Sequence, residues 1–335
     1  MFSLYRPSLV AFCLVTALLP VAHAADEPAP AAPEAAPATS ATAPAPRPPL
    51  AERSADEAQA LQRLVPKDEQ RTLEAGGDSF LALWKPANDA EPKGAVIIVP
   101  GAGESADWPN GVGPLRRKLP DSGWHSLSVT LPDLVAEQAQ ARVETPSTTP
   151  APADGQTAPA KDTPDDANAN VAQATSPEPD SAESTDAAQA GDQHAQADAE
   201  RIFARLKAAI AYAQSQNAQT IVLLGHGSGA YWAARFVSEQ QPAEVQKLVM
   251  VAAQTPARVD DTLQSLLPTL KVPTADIYYA IRDQDKRAAE QRLQATKRVK
   301  DSPYRQLSLI AAPGDSAAQQ EQVFRRVKGW LGATP

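Results

Sequence analysis

One segment of the sequence combines the residue types that nucleophilic catalysis uses. It spans residues 221–230, and the pattern GHGSG occupies 225–229 between a short apolar run and a helical stretch. This context predicts a sharp turn that joins a strand to a helix. A serine hydroxyl at such a turn attacks an acyl carbon only when a base takes its proton, and histidine is the usual base. Ser228 is therefore a candidate nucleophile that needs a histidine nearby.

The supply of histidines is small. Outside the N-terminal segment the sequence contains only His125, His194 and His226, and its single cysteine is Cys13. Each histidine has two interpretations: a structural residue, which we favour, or a base recruited to Ser228. So few histidines and cysteines predict that the protein holds no metal ion, and we expect no cofactor.

Alternating strands and helices must position these residues. Short apolar and β-branched runs predict buried strands at 94–100, 125–132, 220–224, 247–253, 274–281 and 304–311. Helical periodicity predicts helices at about 111–120, 199–216, 229–240 and 321–331. A hairpin precedes them, with a turn at residues 76–78. The predicted fold class is α/β, a mostly parallel sheet with helices on both faces, opened by an N-terminal β-hairpin.

Two tracts of low complexity flank and interrupt this pattern. Residues 25–64 are rich in Ala and Pro and predict a disordered spacer, although 51–64 show weak helical periodicity. Residues 135–197 are acidic and poor in large apolar side chains, which predicts an insertion rather than a domain. Residues 65–134 and 198–333 remain, and they suffice for a single α/β domain.

The N-terminal segment has the features of an export signal. Residues 1–24 contain a basic residue, an apolar run from 9 to 19 and the sequence AHA before a predicted cleavage point near Ala24/Ala25. The apolar run is shorter than the about 20 residues that a membrane span needs, and no later segment reaches that length. We therefore expect an exported protein that is not an integral membrane protein.

The charge distribution argues against one class of partner. The formal net charge is −9, and between residues 134 and 199 acidic side chains outnumber basic ones by ten. Removal of the signal, whose one charged residue is Arg6, changes the net charge to −10, so the rest of the mature chain is close to neutral. Because nucleic acid binding needs a basic surface, no nucleic acid partner is predicted.

The strand-turn-helix segment and two further stretches resemble a known superfamily. The stretches are PGAGESADWP at 100–109 and GWHSLSVTLP at 123–132. Together they resemble the α/β-hydrolases, and within them a bacterial family called domain of unknown function 3530, over most of the predicted core and neither low-complexity tract. In the G-x-S-x-G pattern of the superfamily the central residue is the nucleophile. Alignment of the outer glycines places Gly227 there, and Ser228 falls one position late.

The resemblance also implies where a base and an acid would lie. The superfamily's histidine follows the last strand, but the matching loop at 311–316 has the sequence AAPGDS and contains none. The orienting carboxylate follows the strand at 274–281, where Asp283 or Asp285 would fill the position. Exposed carboxylates after a strand are also common in loops, so loop solubility, with helix capping by Asp285, explains these two residues at least as well.

A third implied feature is half of an oxyanion hole. The loop that contains Gly101, Ala102 and Gly103 stands where the superfamily builds it, because small residues let backbone N–H groups approach a ligand. Glu104 follows directly, and its carboxylate would repel a developing oxyanion if it points inward. A simple tight turn between strand and helix is the other interpretation of this loop.

Taken with the missing histidine, Gly227 favours a protein that is not an enzyme. The leading hypothesis is a pseudo-hydrolase that binds a small molecule or an envelope partner, and the resemblance implies the periplasm as its location. The alternative is a hydrolase of ester bonds in which Ser228 is a displaced nucleophile, Asp283 or Asp285 the acid, and His226 or His125 the base. A structural interpretation has Ser228 capping the following helix. A third hypothesis places the function in the low-complexity tracts.

Overall fold

Eight strands form one sheet in the part of the chain that the computed structural model describes, residues 52–134, 181–257, 259–310 and 314–333. Along the sheet their order is β1-β2-β4-β3-β5-β6-β7-β8. The β1–β2 hairpin and the β2–β4 pair are antiparallel, and every other pair is parallel. The strands are β1 Gln70–Ala75, β2 Asp78–Lys85, β3 Ala95–Val99, β4 His125–Val129, β5 Ile221–His226, β6 Val245–Val251, β7 Thr274–Tyr279 and β8 Tyr304–Leu309.

Helices connect the strands and cover the sheet. They are α1 Arg53–Leu64, α2 Val112–Lys118, α3 Ser181–Ser215, α4 Ser228–Gln240, α5 Leu263–Leu266, α6 Asp283–Lys297 and α7 Ser316–Gly332. Short 3₁₀ turns lie at Lys67–Glu69, Pro120–Ser122 and Leu267–Thr269. No helix within the described ranges combines the length and the apolar composition that a membrane span requires.

The central strands β3 and β5 are buried on both faces, which explains why their sequences are continuous apolar runs. Successive side chains of a strand point to opposite faces. In β3, Ile97 packs with α3 and α4 on one face, whereas Ile98 packs with α2 and α7 on the other. Helices therefore cover both faces of a mostly parallel sheet, and the predicted fold class is confirmed.

The α3 helix differs most from its prediction, since it begins at Ser181 instead of 199. Its first part lies inside the tract predicted as an insertion, and Ala195 is already buried against the core. Composition misses this part because Ala, Gln and Glu are good helix formers as well as typical residues of low-complexity tracts. His194, predicted to lie in disordered sequence, is on this helix. The remainder of the predicted insertion, 135–180, and the signal and spacer up to residue 51 lie outside the described residues.

The α1 helix belongs to the part of the sequence that composition assigned to the spacer. Its Leu61 is buried against Leu81 and Leu83 of β2. The Ser54 N–H donates to the Asp133 carboxylate at 3.1 Å, so the first turn of α1 is joined to the segment that follows β4. The weak helical periodicity of residues 51–64 was therefore the informative signal in this tract.

Candidate active site

The turn between β5 and α4 carries the candidate nucleophile position. β5 ends at His226, Gly227 follows, and α4 begins at Ser228. Gly227 has φ 55° and ψ −126°, a backbone conformation that costs a residue with a side chain about 1–3 kcal/mol. Its N–H donates to the Val251 carbonyl at 3.0 Å, and its carbonyl accepts from the Gln254 N–H at 3.0 Å. The sharp strand-to-helix turn is thus present, with a glycine at its tip.

The flanking glycines are required by close backbone packing, but Gly227 is not. A Cβ on Gly225 would lie 2.3 Å from the Ala230 Cα, and one on Gly229 would lie 2.3 Å from the Val99 carbonyl oxygen. A Cβ on Gly227 would meet no atom closer than 3.8 Å. The tip of the turn therefore has space for a side chain, and only its backbone conformation favours glycine.

The Ser228 hydroxyl faces the loop after β3. Its Oγ accepts a hydrogen bond from the Ala102 N–H at 2.7 Å, and no hydrogen bond joins it to a histidine in the described residues. The helix-capping interpretation of Ser228 is wrong, because Gly227 is the N-cap of α4 and Ser228 is already the first helical residue. The hydroxyl instead satisfies one of the amide donors that would build an oxyanion hole.

Glu104 points inward and binds both the loop and the turn. Its Oε2 accepts from the Gly101 N–H at 2.7 Å, and the His226 Nδ1 lies 2.8 Å from each carboxylate oxygen. Its Oε1 would lie 3.9 Å from a Cβ placed on Gly227. An ionised carboxylate only accepts hydrogen bonds, so this contact requires a proton on the Nδ1 of His226. The imidazole then packs against Gly111, where a Cβ would lie 2.8 Å from Nε2.

This arrangement is unfavourable to acyl transfer at the position of Gly227. Two amides of the predicted oxyanion loop, those of Gly101 and Ala102, already donate to protein oxygens. The third residue of the loop, Gly103, has φ 77°, a backbone conformation that favours glycine. A carboxylate next to the tip of the turn would repel a developing oxyanion. The condition stated for Glu104 from the sequence, that it points inward, is met.

The two candidate acids are not joined to a histidine in the described residues. Asp283 and Asp285 lie in the first turn of α6. Asp283 binds Lys286 at 3.2 Å, and Asp285 accepts from the Arg282 guanidinium at 2.8 and 3.1 Å. Both carboxylates are thus engaged by neighbouring basic side chains of the same helix terminus. The helix-capping interpretation of Asp285 is wrong, because Arg282 is the N-cap and no side chain caps this helix.

His125 has a structural environment on β4. Its ring stacks on Trp84 with centroids 4.9 Å apart, and its Nδ1 accepts from the Ala87 N–H at 3.0 Å. Burial lowers the pKa of the imidazole below its ordinary value of 6.5. These contacts account for His125 without a catalytic role. The described residues also contain no group of three or more His, Cys, Asp and Glu side chains that could hold a metal ion.

A cavity whose lining residues the sequence did not reveal lies beside the turn. Its volume is about 470 Å³, and it opens at the carboxyl ends of β6 and β7, against α5 and α6. We call it the β6–β7 cavity. Its lining includes Gln254, Tyr278, Tyr279, Arg282, Gln284 and Asp285. The available signal was positional, since polar and aromatic residues follow or end two parallel strands at the edge where ligands bind in open α/β sheets.

Sequence comparison assigns the chain to a family. The sequence model of the family described as "Protein of unknown function (DUF3530)" matches residues 8–333. This span includes both low-complexity tracts, so the expectation that the resemblance stops at the core is corrected. No curated protein sequence matches the chain.

Solved structures with a similar fold include a dienelactone hydrolase and an esterase domain. A dienelactone hydrolase from Anabaena variabilis is 14% identical with a TM-score of 0.51, and the match covers 78% of this chain and 97% of that one. Est1E from Butyrivibrio proteoclasticus is 10% identical with a TM-score of 0.49, covering 78% and 97%. The esterase domain of a Rhodothermus marinus protein is 14% identical with a TM-score of 0.45, covering 78% and 96%. At such identities the likeness shows the fold alone, and the last two matches add no argument.

Proposed function

Since this chain belongs to the DUF3530 family and has the α/β-hydrolase fold, we propose that it is an exported, non-catalytic member of that fold which acts as a binding or interaction module. The observation that carries the proposal is the glycine at the tip of the strand-to-helix turn. Gly227 keeps the conformation of the turn and has room for a side chain, but supplies no nucleophile. Fold alone does not determine function, so the argument rests on this site.

Three further contacts support the absence of acyl-transfer chemistry. Ser228, the neighbouring hydroxyl, accepts the Ala102 N–H and makes no hydrogen bond to a histidine in the described residues. Glu104 accepts a hydrogen bond from the Gly101 N–H and binds His226. It therefore engages one donor of the predicted oxyanion loop and the histidine that directly precedes Gly227. In a serine protease with a catalytic triad, loss of either the serine or the histidine reduces turnover by about 10⁶. Because this site lacks both the serine and the histidine at their usual positions, we expect very little catalysis from it.

The export part of the proposal rests on residues 1–24. Their basic residue, apolar run and AHA sequence are typical of a cleaved signal. We propose the periplasm as the location, with a small molecule or an envelope component as the partner. Fractionation of cells that produce the full chain tests this part, and recovery of uncleaved protein in the cytoplasm would contradict it.

Labelling with a fluorophosphonate probe tests the non-catalytic assignment. The purified mature protein is incubated with the probe beside its Ser228→Ala variant, a heat-denatured sample and a known esterase. Ser215→Ala is the matched control, because this serine lies at the exposed end of α3, where its hydroxyl donates to the Tyr212 carbonyl. We expect labelling of the esterase and none of this protein.

One pattern of labelling would overturn the proposal. If the native protein reacts, the Ser215→Ala variant still reacts, and both Ser228→Ala and denaturation abolish the reaction, Ser228 is an activated nucleophile. The chain would then be a serine hydrolase with a displaced nucleophile.

A further inference from the structure

The β6–β7 cavity is joined to the turn at Gly227 through its wall. Gln254, which lines the cavity, donates its backbone N–H to the Gly227 carbonyl. Ala252, another lining residue, has a left-handed φ of 51° although it carries a side chain, and its N–H donates to the Ile277 carbonyl at 2.9 Å. A non-glycine residue persists in this conformation only where its surroundings impose it. The backbone conformation of this wall is therefore fixed by hydrogen bonds to the turn and to β7.

The charged groups of the cavity neutralise one another. At its mouth the Arg282 guanidinium binds the Asp285 carboxylate through two hydrogen bonds. In its floor Arg292 binds Asp276, a carboxylate with no exposed surface. In each pair, two guanidinium nitrogens of the arginine donate hydrogen bonds to one carboxylate. A charged ligand would therefore have to compete with a pair that is already formed.

Several neutral polar groups of the cavity, in contrast, have no hydrogen-bond partner in the described part of the chain, whereas Thr255 accepts from the Leu263 N–H and Gln264 donates to Gln291. Within the described residues, no hydrogen bond is made by the phenol groups of Tyr278 and Tyr279 or by the side-chain amides of Gln254 and Gln284. Tyr279 contributes to the cavity at the end of β7, but its ring packs on the opposite face of the sheet, with the core that contains Ile277. The Tyr278 ring and phenol and the amides of Gln254 and Gln284 thus line one cavity of about 470 Å³, within the size range of small-molecule sites.

We infer that the β6–β7 cavity binds a neutral, hydroxyl-rich ligand, namely an uncharged mono- or disaccharide unit. Amide and phenol groups both donate to and accept from hydroxyls, and tyrosine rings pack against the apolar C–H surface of a sugar ring. An acidic sugar or a phosphate would have to compete with the carboxylate that is already paired with each arginine. This inference rests on the proposed function, because it supplies the ligand class of the binding module.

A printed glycan array followed by calorimetry tests the ligand class. The full mature chain is applied to an array of neutral and acidic glycans, and the best neutral glycan is then titrated into the wild type and its variants. We expect neutral glycans to be preferred. Tyr278→Phe and Gln284→Ala each remove one hydrogen-bonding group and should weaken binding about 3- to 10-fold. Gln294→Ala, an exposed glutamine on the same helix, is the matched control and should leave affinity unchanged.

The inference is wrong if no neutral glycan binds, if acidic glycans are preferred, or if the Tyr278→Phe/Gln284→Ala double variant binds like the wild type. Fluorophosphonate labelling of the same preparation keeps the two proposals separate. An unlabelled protein that binds no neutral glycan retains the non-catalytic assignment and loses only the ligand class. A protein labelled at Ser228 that binds a neutral glycan loses the non-catalytic assignment and retains the ligand class.

Discussion

Three glycines within five residues of the β5–α4 turn are glycine for different reasons. Gly225 and Gly229 let two backbone segments approach so closely that a Cβ on either would overlap main-chain atoms. Gly227 has space around it and is favoured only by its left-handed backbone. Crowding by main-chain atoms is not relieved by a side-chain rotation, whereas a strained conformation costs a limited amount.

Alanine substitutions should therefore separate the three positions. We expect Gly227→Ala to lower the free energy of unfolding by about 1–3 kcal/mol. Gly225→Ala and Gly229→Ala should each lower it by about 4 kcal/mol or more, or prevent folding. Urea denaturation followed by circular dichroism measures the order. Equal losses at all three positions would contradict the distinction between crowding and backbone strain.

His125 provides a residue-scale prediction about pH. Its buried imidazole has a folded-state pKa below 6.5, so its contribution to stability is fully present above pH 6.5 and is lost as pH falls through the folded-state value. In the His125→Asn variant the side-chain amide oxygen can accept a hydrogen bond from the Ala87 N–H, and the side chain at this position has no titratable group. We expect the variant's unfolding free energy to fall less steeply than the wild type's between pH 7.5 and 5.5, as measured by urea titrations at each pH. Parallel pH profiles would show that His125 does not contribute.

At the scale of elements, one buried polar cluster joins α6 to the end of the sheet. Asp276 of β7 accepts hydrogen bonds from Arg292 of α6, from the Tyr304 hydroxyl and from the Gln306 amide of β8. Burial, reinforced by the Asp276 charge, raises the pKa of the Tyr304 phenol well above its usual range, so this group stays a donor. A buried carboxylate is tolerated here because several donors satisfy it.

Removal of one partner from this cluster should be costly. Arg292→Met leaves Asp276 buried without its countercharge, and we expect a loss of about 3–5 kcal/mol in the free energy of unfolding. Asp276→Asn combined with Arg292→Met should lose clearly less than the sum of the single variants, since neither charge remains unpaired. A double-mutant cycle in urea checks this, and additive losses would show that the two residues act independently.

The elements themselves were largely predictable from periodicity. The hairpin and the six following strands were all expected, and each observed strand differs from its predicted range by a few residues at most. Runs such as 95–99 are apolar throughout because both faces of a central parallel strand are buried. The start of α3 at Ser181 was missed, because composition alone does not distinguish an alanine-rich helix from a low-complexity tract.

At the scale of the whole molecule, the turn at Gly227 and the β6–β7 cavity share one edge of the sheet. Both lie where parallel strands end, so the sheet presents the nucleophile position of the fold and a pocket side by side. The glycine at the tip of the turn does not fill the neighbouring cavity. A non-catalytic role and a retained ligand site are therefore physically compatible.

The sequence by itself determined the α/β class, the family and the glycine at the tip of the turn, because these depend on local periodicity and on residue identity at fixed spacing. Only the tertiary structure decided that Ser228 accepts the Ala102 N–H, that Glu104 binds His226, and that unpaired neutral groups converge in one cavity. The physical reason is distance along the chain. Residues more than a hundred positions apart meet because β3 pairs with β5, and the register of that pairing depends on the packing of the entire sheet.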